Sequence, residues 1–356
     1  MRNYHIMVWD KYVNEYINFI NNNFNNEEHI FLVIEGKALA NLNGKILDYD
    51  NVISFKNRYI DIIKINKIIN KADNIILHGL FNTKIVCLLF FNRKILNKSN
   101  WMIWGGDLYY YKYRKKTIRS DIKEFIRKQV ISNLKEITSL IKGDYDIAKS
   151  IYKTNAKYNY ASYILPVNFD MLDDLRLEKC NLSKEIYIQI GNSADRTNNH
   201  KEVLLYLEKY KNENIKILCP LSYGDKEYAN EIIYLGEKIF EDKFIKITKY
   251  LSPDEYSKIL SKVDIAIFNH ERQQGLGNIL ALLYLGKKVY IRRDITPWKY
   301  FSDKNINLYD TIGLENMNFE EFKYMDNEIR LLNKSNVSKE FSKENYIKMW
   351  GNIFNN

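Results

Sequence analysis

Two hydrophobic rhythms alternate along this chain. Short, almost continuous apolar runs occupy residues 4–8, 30–34, 75–77, 101–104, 136–141 and 161–165, then 185–190, 215–219, 245–248 and 264–269. Between them lie segments with apolar residues at helical spacing, among them 11–24, 61–71, 83–91, 118–133, 144–152, 200–210 and 228–240. A short run that is apolar on every side suits a strand buried on both faces, and strand–helix alternation predicts parallel β-α-β units. The best-marked helix start is at Ser252: Ser252 and Glu255 form a capping box, and Pro253 takes the first helical position. In the helix expected over 118–133, Ile118, Ile122, Phe125, Ile126 and Val130 would form the buried face and the basic residues the other.

The rhythm breaks once. From Pro166 the segment PVNFDMLDDLRLEKCNLSKE has few periodic apolar positions, and 166–183 reads as a connection between a first domain, 1–165, and a second, 184–340. A helix over 341–356 closes the chain, with Tyr346, Met349, Trp350 and Ile353 on one side. The expected class is α/β with two Rossmann-like domains, since 356 residues is long for a single core.

No apolar run approaches the roughly 20 residues needed to span a bilayer. The start, MRNYHIMVWDKY, has no signal-peptide pattern, and Cys87, Cys180 and Cys219 have neither disulfide-framework nor metal spacing. A cytoplasmic protein is expected.

Candidate chemistry sits where strands end, because ligands of open α/β sheets bind outside the carboxyl ends of the strands. The loop HERQQGLGN joins an apolar strand to a helix start, where free N–H groups and the helix dipole attract anions. It is either a phosphate site, with Arg272 as the cation, Gln273 and Gln274 as readers of base or sugar, and Gly275 and Gly277 permitting close approach, or a polar βα turn. In GNSADRTNNH, Gly191, Asn192 and Ser193 offer close approach and hydrogen bonds, and Arg196 a planar fork for phosphate. Asp195 reads as a partner that orients Arg196 or caps the helix, and His200 as a capping or solvent-facing helix-start residue or a ligand contact. GLGN lacks the third glycine of a dinucleotide fingerprint, which disfavours an NAD enzyme. In the first domain Asp107, behind two glycines, is a general base or a turn cap, and His78 is a turn residue or a catalytic one. The pairs Asp48/Asp50 and Asp144/Asp146 are metal-binding or turn residues. With no Cys/His cluster, no metal and no cofactor are expected.

Charge adds a partner. Residues 1–165 carry 26 Lys and Arg against 15 Asp and Glu, and the remainder 28 against 29. The densest basic stretch, 112–128, includes Lys112, Arg114, Lys115, Lys116 and Arg119. It suits a solvated helix face, nucleic acid or an anionic membrane.

Four motifs in order, HGLFN (78–82), WMIWGGDLY (101–109), IGNSADRTNNH (190–200) and ERQQGLGNILALLYLG (271–286), resemble the TDP-N-acetylfucosamine:lipid II N-acetylfucosaminyltransferases, the 4-alpha-L-fucosyltransferase family (glycosyltransferase family 56). The resemblance implies a B-type glycosyltransferase architecture, two Rossmann-like domains facing across a cleft, with nucleotide sugar in the second and acceptor in the first. It implies transfer of 4-acetamido-4,6-dideoxygalactose or a similar deoxyamino sugar from dTDP to a polyprenyl-diphosphate-linked saccharide, as in enterobacterial common antigen assembly. The place would be the cytoplasmic side of the inner membrane, with the protein peripheral to its anionic surface and without nucleic acid. Carried onto this chain, Gly191, Asn192, Ser193, Arg196, Arg272, Gln273, Gln274 and Gly275 hold the donor, while Asp107 and His78 face the acceptor. The loop after the first strand, WDKYVNEY, lacks the small Gly-containing run expected there. The other readings are a UDP-sugar transferase of capsule or lipopolysaccharide synthesis and a noncatalytic nucleotide- or nucleic-acid-binding protein.

Overall fold

The computed structural model describes residues 1–36, 39, 44–163, 169–177 and 185–355. Residues Met1–Leu165 and Lys343–Asn356 form one compact unit, and Pro166–Ser342 the other.

Unit 1 runs β1 (Asn3–Val8), α1 (Val13–Asn23), β2 (His29–Ile34), β3 (Val52–Phe55), α2 (Tyr59–Ile69), β4 (Asn74–His78), α3 (Thr83–Phe91), β5 (Ser99–Met102), α4 (Tyr110–Tyr113), α5 (Ile118–Ile131), β6 (Glu136–Thr138), α6 (Lys142–Tyr152) and β7 (Lys157–Asn159). Its strands form a parallel sheet in the order β3-β2-β1-β4-β5-β6-β7. Unit 2 runs α7 (Phe169–Leu177), β8 (Ile186–Ile190), α8 (His200–Leu207), β9 (Ile215–Pro220), α9 (Lys226–Phe240), β10 (Phe244–Ile247), α10 (Pro253–Lys262), β11 (Ile265–Phe268), α11 (Leu276–Tyr284), β12 (Lys288–Ile291), α12 (Thr296–Asp303), β13 (Tyr309–Asp310), α13 (Phe319–Lys323) and α14 (Asn327–Glu340). Its sheet, also parallel, is ordered β10-β9-β8-β11-β12-β13. The apolar runs became central strands for the expected reason: Ile265, Ala266, Ile267 and Phe268 of β11 are all buried. The capping box at Ser252 and Glu255 starts α10 as the sequence predicts.

Three expectations change. The strand expected over 161–165 is replaced by β7, which ends at Asn159, while 164–165 lie outside the described residues. Within the stretch read as connection, 169–177 is helical, and Asp173 accepts from Tyr284 (2.7 Å) and pairs with Lys334 (2.5 Å), so α7 packs on α11 and α14. In α5, Val130 is buried and Ile126 partly so, but Ile118, Ile122 and Phe125 are 81%, 57% and 58% exposed. The periodicity found the stripe; the neighbouring helices cover only its C-terminal end.

The last helix, α15 (Lys343–Phe354), returns to unit 1. Its expected apolar side closes over a polar column on the sheet. His29, His5 and His78 lie on one face of β2, β1 and β4, stepped diagonally by register: Asn3 is opposite His29 and Met7 opposite His78, and residues 3, 5 and 7 share a face. His29 Nδ1 lies 3.1 Å from His5 Nε2, and His5 Nδ1 lies 3.0 Å from His78 Nε2. His78 Nδ1 is hydrogen-bonded to the Tyr163 hydroxyl. Phe354 packs edge-on against His29, Trp350 stacks over His78, and the Trp350 indole donates to Ser162 O (3.0 Å). A neutral imidazole offers one donor and one acceptor, so two adjacent rings of the column cannot both be charged without setting N–H against N–H.

Burial holds these rings neutral. It lowers His29 to about 4 and His78 to about 3, and His5 well below 6.5, with the neighbouring His78 and His29 adding to the effect. The unfolded chain takes up protons near pH 6.5 and the native protein does not, so the column's contribution is complete above that pH and declines below it. Denaturant unfolding followed from pH 7.5 to 5 should show stability falling below pH 6.5 by about 1.4 kcal/mol per pH unit for each histidine that stays neutral. A flat profile over that range would contradict a buried neutral column.

Candidate functional site

In unit 2 the strand order reverses between β8 and β11, so the chain leaves these neighbours toward opposite faces of the sheet. The two loops that leave there are those singled out in the sequence. Gly191 keeps the ladder going, donating its N–H to Ile267 O (2.9 Å), and then turns with φ +62°. A Cβ there would stand 2.4 Å from His200 Nε2 and 2.7 Å from Asn198 Oδ1, so only glycine fits. Asn198, fully buried, rivets the junction. Its Oδ1 accepts from Asn192 N (3.0 Å) and lies 2.9 Å from His270 Nε2, and its Nδ2 donates to Asp195 O (3.0 Å).

More bonds cross from loop to loop. Glu271 N donates to Thr197 O (3.0 Å), Asn199 Nδ2 to Asn269 O (3.1 Å) and Arg272 Nη2 to Asp195 Oδ2 (3.1 Å). Thr197 Oγ1 lies 2.6 Å from Asp195 Oδ1 and 3.1 Å from Gln274 Oε1. Asp195 thus orients Arg272, whose second amino group donates to Gln273 O (3.2 Å), and these bonds hold the Asp195 carboxyl below the usual range against the opposing effect of burial.

The second loop ends at Gly275, which begins α11 with φ +67° and no side-chain cap. A Cβ on it would meet His270 at 3.1 Å and Asn192 at 3.2 Å, so Asn192 and His270 flank the helix start. The first N–H groups of a helix have no intrahelical partners and carry the positive end of its dipole. A Cβ on Gly277 would meet nothing within 4 Å. Among the described residues, the buried side-chain polar atoms of unit 2 left without a hydrogen bond belong to Gln189, Asn192, His200 and Gln274. All four residues lie in or beside these loops. An unmatched buried polar atom costs about 1–3 kcal/mol, so these are atoms that a polar ligand or water could complete. Burial keeps His200 and His270 neutral, lowering them to about 4 and about 3.

Arg196 stands apart from Arg272. Its guanidinium donates to Asp225 (3.2 Å) and Glu231 (3.3 Å) and lies over the Tyr228 ring. An anion at Arg196 would have to compete with two carboxylates. Ser193 is buried next to Asn192.

Unit 1 reverses between β1 and β4. Asp107 lies beyond β5, and both its oxygens are committed. Oδ2 accepts from Leu80 N (3.0 Å) and Trp101 Nε1 (2.7 Å), and Oδ1 from Trp104 N (3.0 Å) and Leu108 N (3.0 Å). Arg127, itself buried, reaches Leu80 O and Asp107 O (2.7 Å) and clamps the same two loops. A carboxylate taking four hydrogen bonds has its lone pairs in use, and in this arrangement Asp107 ties the two loops together. His78, read as a turn residue or a catalytic one, has both ring nitrogens engaged inside the buried column. Asp144 accepts from Tyr109 (3.2 Å) and Asp146 from Lys142 (2.9 Å), so that pair serves local structure. Asp48 and Asp50 lie before β3. Lys112, Lys115, Lys116 and Arg119 are exposed, and Arg114 is tied to Asp121 and Ser120.

The sequence reading passed over Asp10. It follows β1 at the reversal point, half-buried, with Oδ1 buried and unpartnered. Burial raises its pKa, opposed by Lys11 and the Lys11 and Tyr12 N–H groups. One unengaged oxygen and a raised pKa are what a general base needs. The available signal was a carboxylate in the first βα loop.

Two doubly wound units of this topology are the B-type glycosyltransferase fold, and solved structures share it over their full lengths. A glycosyltransferase from Rickettsia africae is similar at 14% identity with TM-score 0.67, covering 99% of this chain and 98% of its own. Sucrose-phosphate synthase from Thermosynechococcus elongatus is similar at 9% identity and TM-score 0.74, with coverage of 100% and 98%. Anabaena HepE, solved with UDP, is similar at 9% identity and TM-score 0.70, with coverage of 100% of both. The chain is a glycosyltransferase. It belongs to the 4-alpha-L-fucosyltransferase family, glycosyl transferase group 56, whose model matches residues 7–356.

Replacing Asp107 with Asn turns one oxygen into a donor that faces N–H groups. Asp107→Asn should therefore lose about 2–3 kcal/mol of unfolding free energy. Wild-type stability in denaturant together with abolished turnover would instead make Asp107 the catalytic base.

Proposed function

We propose that this glycosyltransferase moves a deoxyamino sugar, 4-acetamido-4,6-dideoxygalactose or a close relative, from a dTDP carrier to a polyprenyl-diphosphate-linked saccharide in surface glycan assembly. The single observation that carries the donor site is the β8/β11 junction. There an uncapped helix N-terminus, an Asp195-oriented Arg272 and unpartnered atoms of Asn192 and Gln274 come together. Group 56 membership supports the sugar class. No described helix is long and apolar enough to cross a membrane, and the reading takes the protein as peripheral to the cytoplasmic face of the lipid that carries its acceptor.

In this reading unit 2 binds the diphosphate. Leu276, Gly277 and Asn278 present backbone N–H groups, Arg272 supplies positive charge, and Gln273 and Gln274 contact sugar or base. As the acceptor oxygen bonds to the anomeric carbon, the bond from that carbon to the phosphate oxygen breaks. The electron pair leaves with the nucleoside diphosphate, where the helix N-terminus and Arg272 stabilise it, and the acceptor proton passes to Asp10 Oδ1. The reaction as proposed needs no metal.

The UDP complex of HepE keeps one rival alive, a UDP-sugar transferase. A thermal-shift panel decides: dTDP should raise Tm more than UDP, GDP or NAD. A larger shift with UDP would move the assignment to UDP-sugars, and a shift with NAD alone would remove the transferase site from this junction. Arg272→Ala should abolish the dTDP shift while leaving the unliganded Tm close to wild type.

Asp10→Asn should keep the dTDP shift and lower kcat by about 10²–10⁴-fold. An unchanged kcat would exclude Asp10 as the base.

A further inference from the structure

Several exposed large apolar side chains of unit 1 lie at the N-terminal ends of three helices, while Phe91 (83%) stands at the C-terminal end of α3. Ile118, Ile122 and Phe125 follow one another at intervals of four and three on the outer side of α5. Tyr59, Ile60 and Ile63 are exposed on the first turns of α2 (77%, 51% and 54%), and Phe81 (47%) precedes α3. The helix α3 packs against both α2 and α5. In a parallel β-α-β unit these helix starts all lie at the same edge of the sheet as the strand ends.

The α5 stripe is held rigidly. Thr117 and Ser120 form a capping box at its first turn, Arg114 bonds Ser120 and Asp121, and Lys123 and Arg127 stack on Tyr110. The buried residues of α5, Arg127, Val130 and Ile131, lie in its C-terminal half, which anchors the helix in unit 1 while the first two turns carry the exposed stripe.

Charge says what covers it. Around the stripe Lys112, Lys115, Lys116, Arg119 and Lys128 are exposed. The two carboxylates of the segment are neutralised from within it, Asp121 by Arg114 and Glu124 by Arg127. What is presented outward is therefore apolar side chains ringed by cations. A protein partner with an acidic rim could match the ring, but a bilayer bearing anionic headgroups matches both the ring and the apolar centre over the width of several helices.

We infer that α5 docks on an anionic bilayer with Ile118, Ile122 and Phe125 inserted at the boundary between headgroups and acyl chains and the lysines and Arg119 lying among the phosphates. This deepens the membrane-peripheral reading by giving it a surface, and its test is independent of the nucleotide. The full-length protein should co-sediment with phosphatidylcholine–phosphatidylglycerol vesicles and much less with phosphatidylcholine alone. The triple variant Ile118→Ser, Ile122→Ser, Phe125→Ser should bind the anionic vesicles at least about a hundredfold more weakly while keeping its Tm and its dTDP shift. Some wild-type binding should survive high salt, which screens the cations but not the insertion.

Three results would overturn it. They are wild-type protein that ignores anionic vesicles, a triple variant that binds them as wild type does, and a wild-type dimer in sedimentation velocity that the triple substitution converts to monomer. Loss of the dTDP shift in the wild-type protein would count against the donor site and leave this surface untouched.

Discussion

Each sheet of this protein is parallel, and that constraint sets where everything else can be. A parallel strand cannot turn back on its neighbour; it needs a crossover, and the crossovers send every strand end to the same edge. Where the order reverses, between β8 and β11 and between β1 and β4, adjacent chains diverge to opposite faces and leave backbone groups uncovered between them. Unit 2 closes its gap with the side-chain bonds of Asn198, Asn199, Thr197 and Asp195, yet none of them caps the N–H groups that open α11. The loops are stiff and the helix end is bare. A diphosphate needs that combination: fixed donors that do not have to be organised when charge develops.

The layout of strands, helices and donor loops was legible in the sequence because it depends on local signals. Apolar runs marked the strands, and HERQQGLGN and GNSADRTNNH stood at strand ends whatever the sheet order. That they adjoin each other was not local. It follows from β8 pairing with β11, a contact between segments about 75 residues apart. The same limit left the roles of Asp107 and His78 open between chemistry and structure. A carboxylate behind two glycines at a strand end looks alike whether it takes a proton from an acceptor or ties two loops, and only the positions of Leu80 N and Trp101 Nε1 decide for Asp107. His5, His29 and His78 form a column only once register sets three strands side by side.

Helix α5 shows a different limit. Periodicity reports that Ile118, Ile122 and Phe125 share a face with each other, but not whether another element lies over that face. Amphipathic patterning has two outcomes, core packing and insertion into an interface, and one sequence can carry both along a single helix. The C-terminal half of α5 follows the first, with Val130 and Ile131 in the core, and the N-terminal half is open. The uneven charge of the two halves of the chain acquires a location from this, because the surplus cations of residues 112–128 ring the open half.

Polar satisfaction separates the structural groups from those available for chemistry. Asp107 and the histidine column are buried and bonded at the atoms where chemistry would occur, and they hold the loops and the core in place. Asp10, Asn192 and Gln274 are carried at the same strand-end edges but keep an unpartnered atom each. Folding gains nothing from such an atom and is opposed by it, so at a reversal point it is open to completion by something outside the chain. Burial type or residue identity alone would have ranked Asp107 above Asp10; the count of bonds already made reverses that order.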